Sequence, residues 1–143
     1  MRRLSLPLLA LVLAVGACKS KPQGPDVNDL LSRLKSEDAK VSGEANLALI
    51  RLGEPAVPGL VEMLRSGDTR LRKTAATTIW GLGAKGRDAV PALGEMLADA
   101  DADLRLAAAM ALDNMGPAAA DAVPALVKAL RDPEGEVRQW SAK

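Results

Sequence analysis

Few side chains in this chain could do chemistry. Cys18 is the single cysteine, and the chain has no histidine, tyrosine or phenylalanine. One thiol cannot close an internal disulfide, and no set of cysteines and histidines stands at metal-ligand spacing. The thiol can still act as a nucleophile. Any acid–base chemistry elsewhere would rest on ordinary carboxylates and lysines. Asp99, Asp101 and Asp103 alternate in a run that could suggest calcium. That run lacks the central glycine and distal glutamate of such loops, so it reads as the charged start of a helix. Arg72, Arg105 and Arg138 each follow an acid by four residues: Asp68, Asp101 and Glu134. An anion-binding ladder is one reading of them. The reading preferred here is structural, with each arginine linked to those acids within or between repeats. No catalytic residue, metal or cofactor is expected.

The surroundings of Cys18 give its thiol a role. Met1-Arg2-Arg3 is a short basic segment, and Leu4 to Val15 is an apolar run of 12 residues. The run is too short to span a bilayer comfortably. This is the layout of a secretory signal peptide. Val15-Gly16-Ala17-Cys18 resembles the bacterial lipobox. The resemblance implies removal of residues 1–17, attachment of a diacylglycerol to Cys18, and acylation of the new amine. Several acyl chains anchor firmly where one is marginal. The alternative is an ordinary signal peptide with a chance cysteine. Residues 18–25 then form the lipidated cysteine and a polar tether, with Pro22, Gly24 and Pro25. Lys19 is not the aspartate that retains lipoproteins in the inner membrane of enteric bacteria. The outer membrane of a bacterial cell envelope is therefore favoured over the inner.

Charge excludes one class of partner. Setting aside Arg2 and Arg3, the 19 basic residues fall to 17, against 18 acidic ones. No basic excess is left to draw the chain to nucleic acid.

The remaining residues, 26–143, are organised by repetition. Pro58 to Gly83 returns as Pro91 to Gly116 and starts again at Pro124, each time after 33 residues. A divergent copy, Asn28 to Gly53, precedes them. A period of this size marks a stacked-repeat architecture. Each unit reads as two antiparallel helices. Pro58, Pro91 and Pro124 suit the first turn of the first helix, with Glu54, Asp88 and Asp121 expected as its caps. Leu60, Val61 and Leu64 form one stripe, matched by Leu30, Leu31 and Leu34, by Leu93 and Leu97, and by Leu126, Val127 and Leu130. Ser36, Ser66, Asp99 and Asp132 are expected to cap the second helix, with Pro133 as a first helical residue. Asp38, Asp68, Asp101 and Glu134 would then favour its dipole. Leu104, Ala108, Ala111, Leu112 and Met115 are its expected buried face, with equivalents in the earlier copies. Gly53, Gly83 and Gly116 are expected as left-handed C-terminal caps. The fold expected is an all-α, right-handed α-solenoid of about 3.5 repeats, in which stacking hides the apolar flanks.

The pattern resembles HEAT repeats in their short bacterial, phycobilisome-lyase-like form. Ala89-Val90-Pro91-Ala92-Leu93, Leu97, Asp101, Leu104-Arg105, Ala108, Ala111-Leu112 and Gly116 carry the resemblance. So do Ala122-Val123-Pro124-Ala125-Leu126 and Val137-Arg138. Ankyrin repeats would show a Thr-Pro-Leu-His type turn, and tetratricopeptide repeats a tyrosine; neither is present. The first copy departs, with Ser42 where the others have Arg72, Arg105 and Arg138. The last copy is cut short, its second helix ending at Lys143 about two turns early, so that either this end is frayed or a partner or a second copy covers Leu126 and Val137. In such solenoids the second helices line the concave side. Leu47 and Ile50, then Lys73, Thr77 and Trp80, then Leu106, Met110 and Asp113 fall on their outer stripe. This strip is the candidate docking site for a protein or peptide, against the alternative that neighbouring helices bury it. Trp140 lies off the buried face and is expected to pack on the last helix. The function expected is a lipid-anchored, non-enzymatic interaction scaffold. The alternatives are an accessory enzyme related to phycobilin lyases, and a spacer that self-associates through its C-terminal repeat.

Overall fold

The computed structural model describes residues 24–143. The expected signal peptide at 1–17, Cys18 and the expected tether up to residue 23 lie outside the described residues. Eight α-helices follow: α1 (Val27–Leu34), α2 (Ala39–Leu52), α3 (Val57–Leu64), α4 (Thr69–Leu82), α5 (Val90–Met96), α6 (Ala102–Met115), α7 (Val123–Ala129) and α8 (Gly135–Ser141). They pair in order, and the pairs stack, with α4 lying on α6 and α6 on α8. Short 3₁₀ segments, Glu54–Ala56, Gly83–Ala89 and Gly116–Ala122, lead from one pair to the next. Among the described residues there is no strand, and no helix is long and apolar enough to cross a membrane. The expected all-α solenoid of stacked helix pairs is the fold found.

The repeat rows explain the stack. Ala45, Ala75 and Ala108 share one place in successive second helices and are fully buried. Leu49, Ile79 and Leu112 share the next and are buried as well. Small residues let the helices approach, and each buried leucine or isoleucine contributes about 1.5–3 kcal/mol. The expected face of α6 is buried throughout, whereas Val41, Ala48 and Leu52 of α2 and Leu71 of α4 are half-buried. Among the described residues Thr78 is the one buried polar side chain in the core, and its hydroxyl donates to the Thr74 carbonyl at 2.9 Å.

The helix ends differ from expectation in four ways. First, Glu54, Asp88 and Asp121 do not cap the first helices; α3, α5 and α7 have no side-chain cap. The preceding 3₁₀ segment runs straight into each helix, and its carbonyls accept the early N–H groups, as Arg87 O does from Val90. The prolines do sit at the first turn. Second, the caps of the second helices lie two residues later than expected. Asp38, Asp68 and Asp101 accept the N–H groups of Lys40, Arg70 and Asp103 at 2.8 Å each. Asp99 and Asp132 instead accept the N–H of the cap residue itself, at 2.9 Å, and Ser36 does so at 3.2 Å. The turn thus takes two residues before the helix can start. Third, Pro133 therefore precedes the cap position, held by Glu134, and is not helical. Fourth, Gly53, Gly83 and Gly116 have φ of 82°, 54° and 54°, so glycine is needed. Their ψ values of −136°, −135° and −129° are not left-handed helical. The chain swings out of the helix there and enters the next 3₁₀ segment.

Candidate functional site

Lys73, Thr77 and Trp80 lie at i, i+4 and i+7 on α4, on the side away from the first helices. Leu106 and Met110 hold the matching side of α6. Where α4 and α6 lie together, these five residues line one groove of about 280 Å³. Ala76 and Ala107 complete it, and Asp103 stands at one end. Small alanines make the depression, because a larger side chain at either place would fill it. The expected strip does not extend onto α2. Leu47 is 57% exposed but does not line the groove. Ile50 is half-buried and sits over Gly81, where any Cβ would collide with it. Asp113 lines a different depression, at the C-terminal face.

Lys73, Asp103 and Thr77 already have partners. Lys73 Nζ lies 2.9 Å from Asp103 Oδ2, and both side chains are more than half exposed. Such a pair is worth roughly 0–1 kcal/mol. Thr77 Oγ1 donates to the Lys73 carbonyl at 2.9 Å. Asn114 Nδ2 donates to the Trp80 carbonyl at 2.7 Å, fixing α6 against the end of α4. What remains free is the Trp80 ring with its indole N–H and the apolar side chains beside it. Trp80 is 45% exposed, and Leu106 and Met110 are half-buried beside it. Tryptophan and methionine together present a large, adaptable apolar contact. Ala76, Ala107 and Asp103 were absent from the expected strip. The first two could have been found as small residues flanking it on paired helices.

The turn edge of the stack is built differently. Arg72 Nε donates to the Leu64 carbonyl at 3.0 Å, and its Nη2 pairs with Asp99 of the next repeat. Arg105 reaches Asp132 with Nε at 2.8 Å and Nη2 at 3.0 Å, and the Asp99 carbonyl with Nη1 at 2.9 Å. The expected partners Asp68 and Asp101 are not used, because their carboxylates cap α4 and α6. The arginines are structural, as expected, but clasp the following turn. The Asp101 N–H and then Arg72 hold the Asp99 carboxyl below its usual range. Arg105 does the same for Asp132, which in turn pushes the guanidinium up. Ser42 in the first repeat keeps only the carbonyl tie, donating to Leu34 O at 3.0 Å. The alternating acids are accounted for: Asp99 in the clasp, Asp101 as cap, Asp103 with Lys73. Among the described residues no group of side chains could hold a metal ion.

Residues 57–143 match the family described as HEAT repeats. No curated protein matches the chain. An engineered protein of known crystal structure is 28% identical with a TM-score of 0.59, over 82% of this chain and 60% of its own. A designed armadillo repeat protein in complex with the peptide (KR)4 is 20% identical with a TM-score of 0.61, over 81% and 61%. The complex of CpcE and CpcF of phycocyanin lyase from Nostoc sp. PCC7120 is matched at 22% identity and a TM-score of 0.64, over 80% and 73%. The chain thus spans about 60% of the length of the engineered and designed proteins. The two likenesses at 20% and 22% identity show the fold. Stacked helix pairs of this kind form a scaffold suited to protein interaction.

Proposed function

Because the chain belongs to the HEAT-repeat family, we propose that it acts as an interaction scaffold and that the groove between α4 and α6 receives a protein or peptide partner. One observation carries this reading. Trp80 is 45% exposed in a groove that Ala76, Leu106, Ala107 and Met110 make largely apolar. A half-exposed tryptophan in an apolar depression is the kind of residue that dominates binding energy when covered. A lyase-type accessory activity is the alternative. The ionisable groups in the groove that it could use are Lys73 and Asp103, a solvent-exposed pair 2.9 Å apart.

The proposal includes an anchor. Cys18 carries the lipid after residues 1–17 are removed, and residues 18–25 tether the domain 26–143 to a bacterial envelope membrane. Lys19 favours the periplasmic face of the outer membrane. With Cys18→Ala, the protein should leave the membrane fraction. Retention there would refute the anchor.

The groove is tested by a photo-crosslinking residue at Thr77, in cells. Defined adducts should form and should be lost with Trp80→Ala while the thermal melt is unchanged. Adducts that survive the substitution, or binding and folding lost together, would refute the groove.

A further inference from the structure

The open side of the second helices changes sign along the stack. Lys40, Arg70, Asp103 and Glu136 hold one place there, two residues after the cap of α2, α4, α6 and α8. All four are exposed. Lys73 and Asp103 pair across the border at 2.9 Å, so the sign changes between α4 and α6. Arg70 leans back over the first repeat. Its Nη2 donates to the Lys35 carbonyl at 3.0 Å, a contact that leaves its charge uncompensated. Glu44 and Lys143 break the pattern, and each has a partner of its own. Glu44 meets Arg33 at 3.3 Å, and the Lys143 amine lies 3.5 Å from the centre of the Trp140 ring.

The α4–α6 groove lies on that border. Its volume of about 280 Å³ is below the usual range of pockets that enclose a whole ligand. It suits an apolar side chain of a segment whose other contacts fall on the flanks, where the charges are. Packed helices lie about 8–10 Å apart, and an extended chain rises about 3.3 Å per residue. About three residues therefore carry an extended segment from one second helix to the next. A segment of one sign throughout would set like charges against half of the row, which costs affinity.

We infer, on the reading that this groove binds a partner, that its occupant is an extended segment charged in two blocks. One apolar residue enters the groove beside Trp80. Carboxylates on one flank meet Lys40 and Arg70, and lysines or arginines on the other meet Asp103 and Glu136.

Three labelled peptides test this against the full chain in detergent, by fluorescence anisotropy at low salt. The first is Glu-Gly-Ser-Glu-Ser-Leu-Ser-Lys-Gly-Ser-Lys, with one charge block on each side of leucine. The second has the same composition with alternating signs, Glu-Gly-Ser-Lys-Ser-Leu-Ser-Glu-Gly-Ser-Lys. The third replaces both glutamates of the first by lysine. The block peptide should bind about fivefold more tightly than either of the others, and lose that lead at high salt. Lys40→Glu with Arg70→Glu makes the row acidic throughout, so the preference should turn to the third peptide. Circular dichroism checks that the variant folds. A block peptide that does not bind at millimolar concentration would overturn the inference, as would a preference that the double variant leaves unchanged. Block and alternating peptides that bind alike, both lost with Trp80→Ala, would overturn the charge blocks and leave the groove standing. Block binding that survives Trp80→Ala would remove the groove, and the inference with it.

Discussion

Helices α5 and α7 begin with the same four residues, Val-Pro-Ala-Leu, and both follow a 3₁₀ segment of the same length. Their fates differ. Val90 is 2% exposed and Val123 52%; Leu97 is 5% exposed and Leu130 42%. Nothing in the residues themselves separates them. A further helix pair covers α5, and none among the described residues covers α7. In a solenoid, then, the apolar stripe is a standing capacity for burial, and the neighbour decides whether it contributes to stability or to association.

The largest effect should come from testing that contrast directly. Leu97→Ala should cost about 2–5 kcal/mol, because it leaves a cavity in a packed junction. Leu130→Ala should cost less than about 1.5 kcal/mol, since much of its surface is already in water. Chemical denaturation of both variants measures the difference. Equal costs would break the comparison and show that α7 is covered in solution.

Acid should act next, and on the clasped junctions. Asp99 and Asp132 have folded pKa values below the ordinary 3.8. Their contribution is complete above the ordinary value and is lost as pH falls through the lowered one. Stability should therefore decline below about pH 4, and less steeply in the double variant Asp99→Asn, Asp132→Asn. Denaturant midpoints measured from pH 6 to pH 2 check this; parallel curves would remove the clasps from the account.

The smallest effect concerns the first junction. Asn46 stands where Ala76 and Ala109 are fully buried, and its Oδ1 is buried with no partner. Asn46→Ala should be neutral or stabilising by up to about 1 kcal/mol, because it removes an unsatisfied acceptor. A thermal melt decides it, and clear destabilisation would mean that the amide has a partner in solution.

The residues determined much of this by themselves. The period of 33, the prolines of the first turn and the glycines at the helix ends specify helix pairs, because local sterics and hydrophobic period need no distant partner. The buried rows were legible for the same reason. Interactions across the stack were not. Arg72 and Arg105 stand four residues after acids, which suggests pairing within one helix. The fold gives those acids to the helix starts and brings in carboxylates 27 residues away. The groove shows the same limit. Lys73, Thr77, Trp80, Leu106 and Met110 could be placed on one stripe by counting turns. That Ile50 would close over Gly81, leaving α2 out of the groove, depended on how near two helices come. Distance along the chain sets what each helix is; only the contact between helices sets which of its faces stays open.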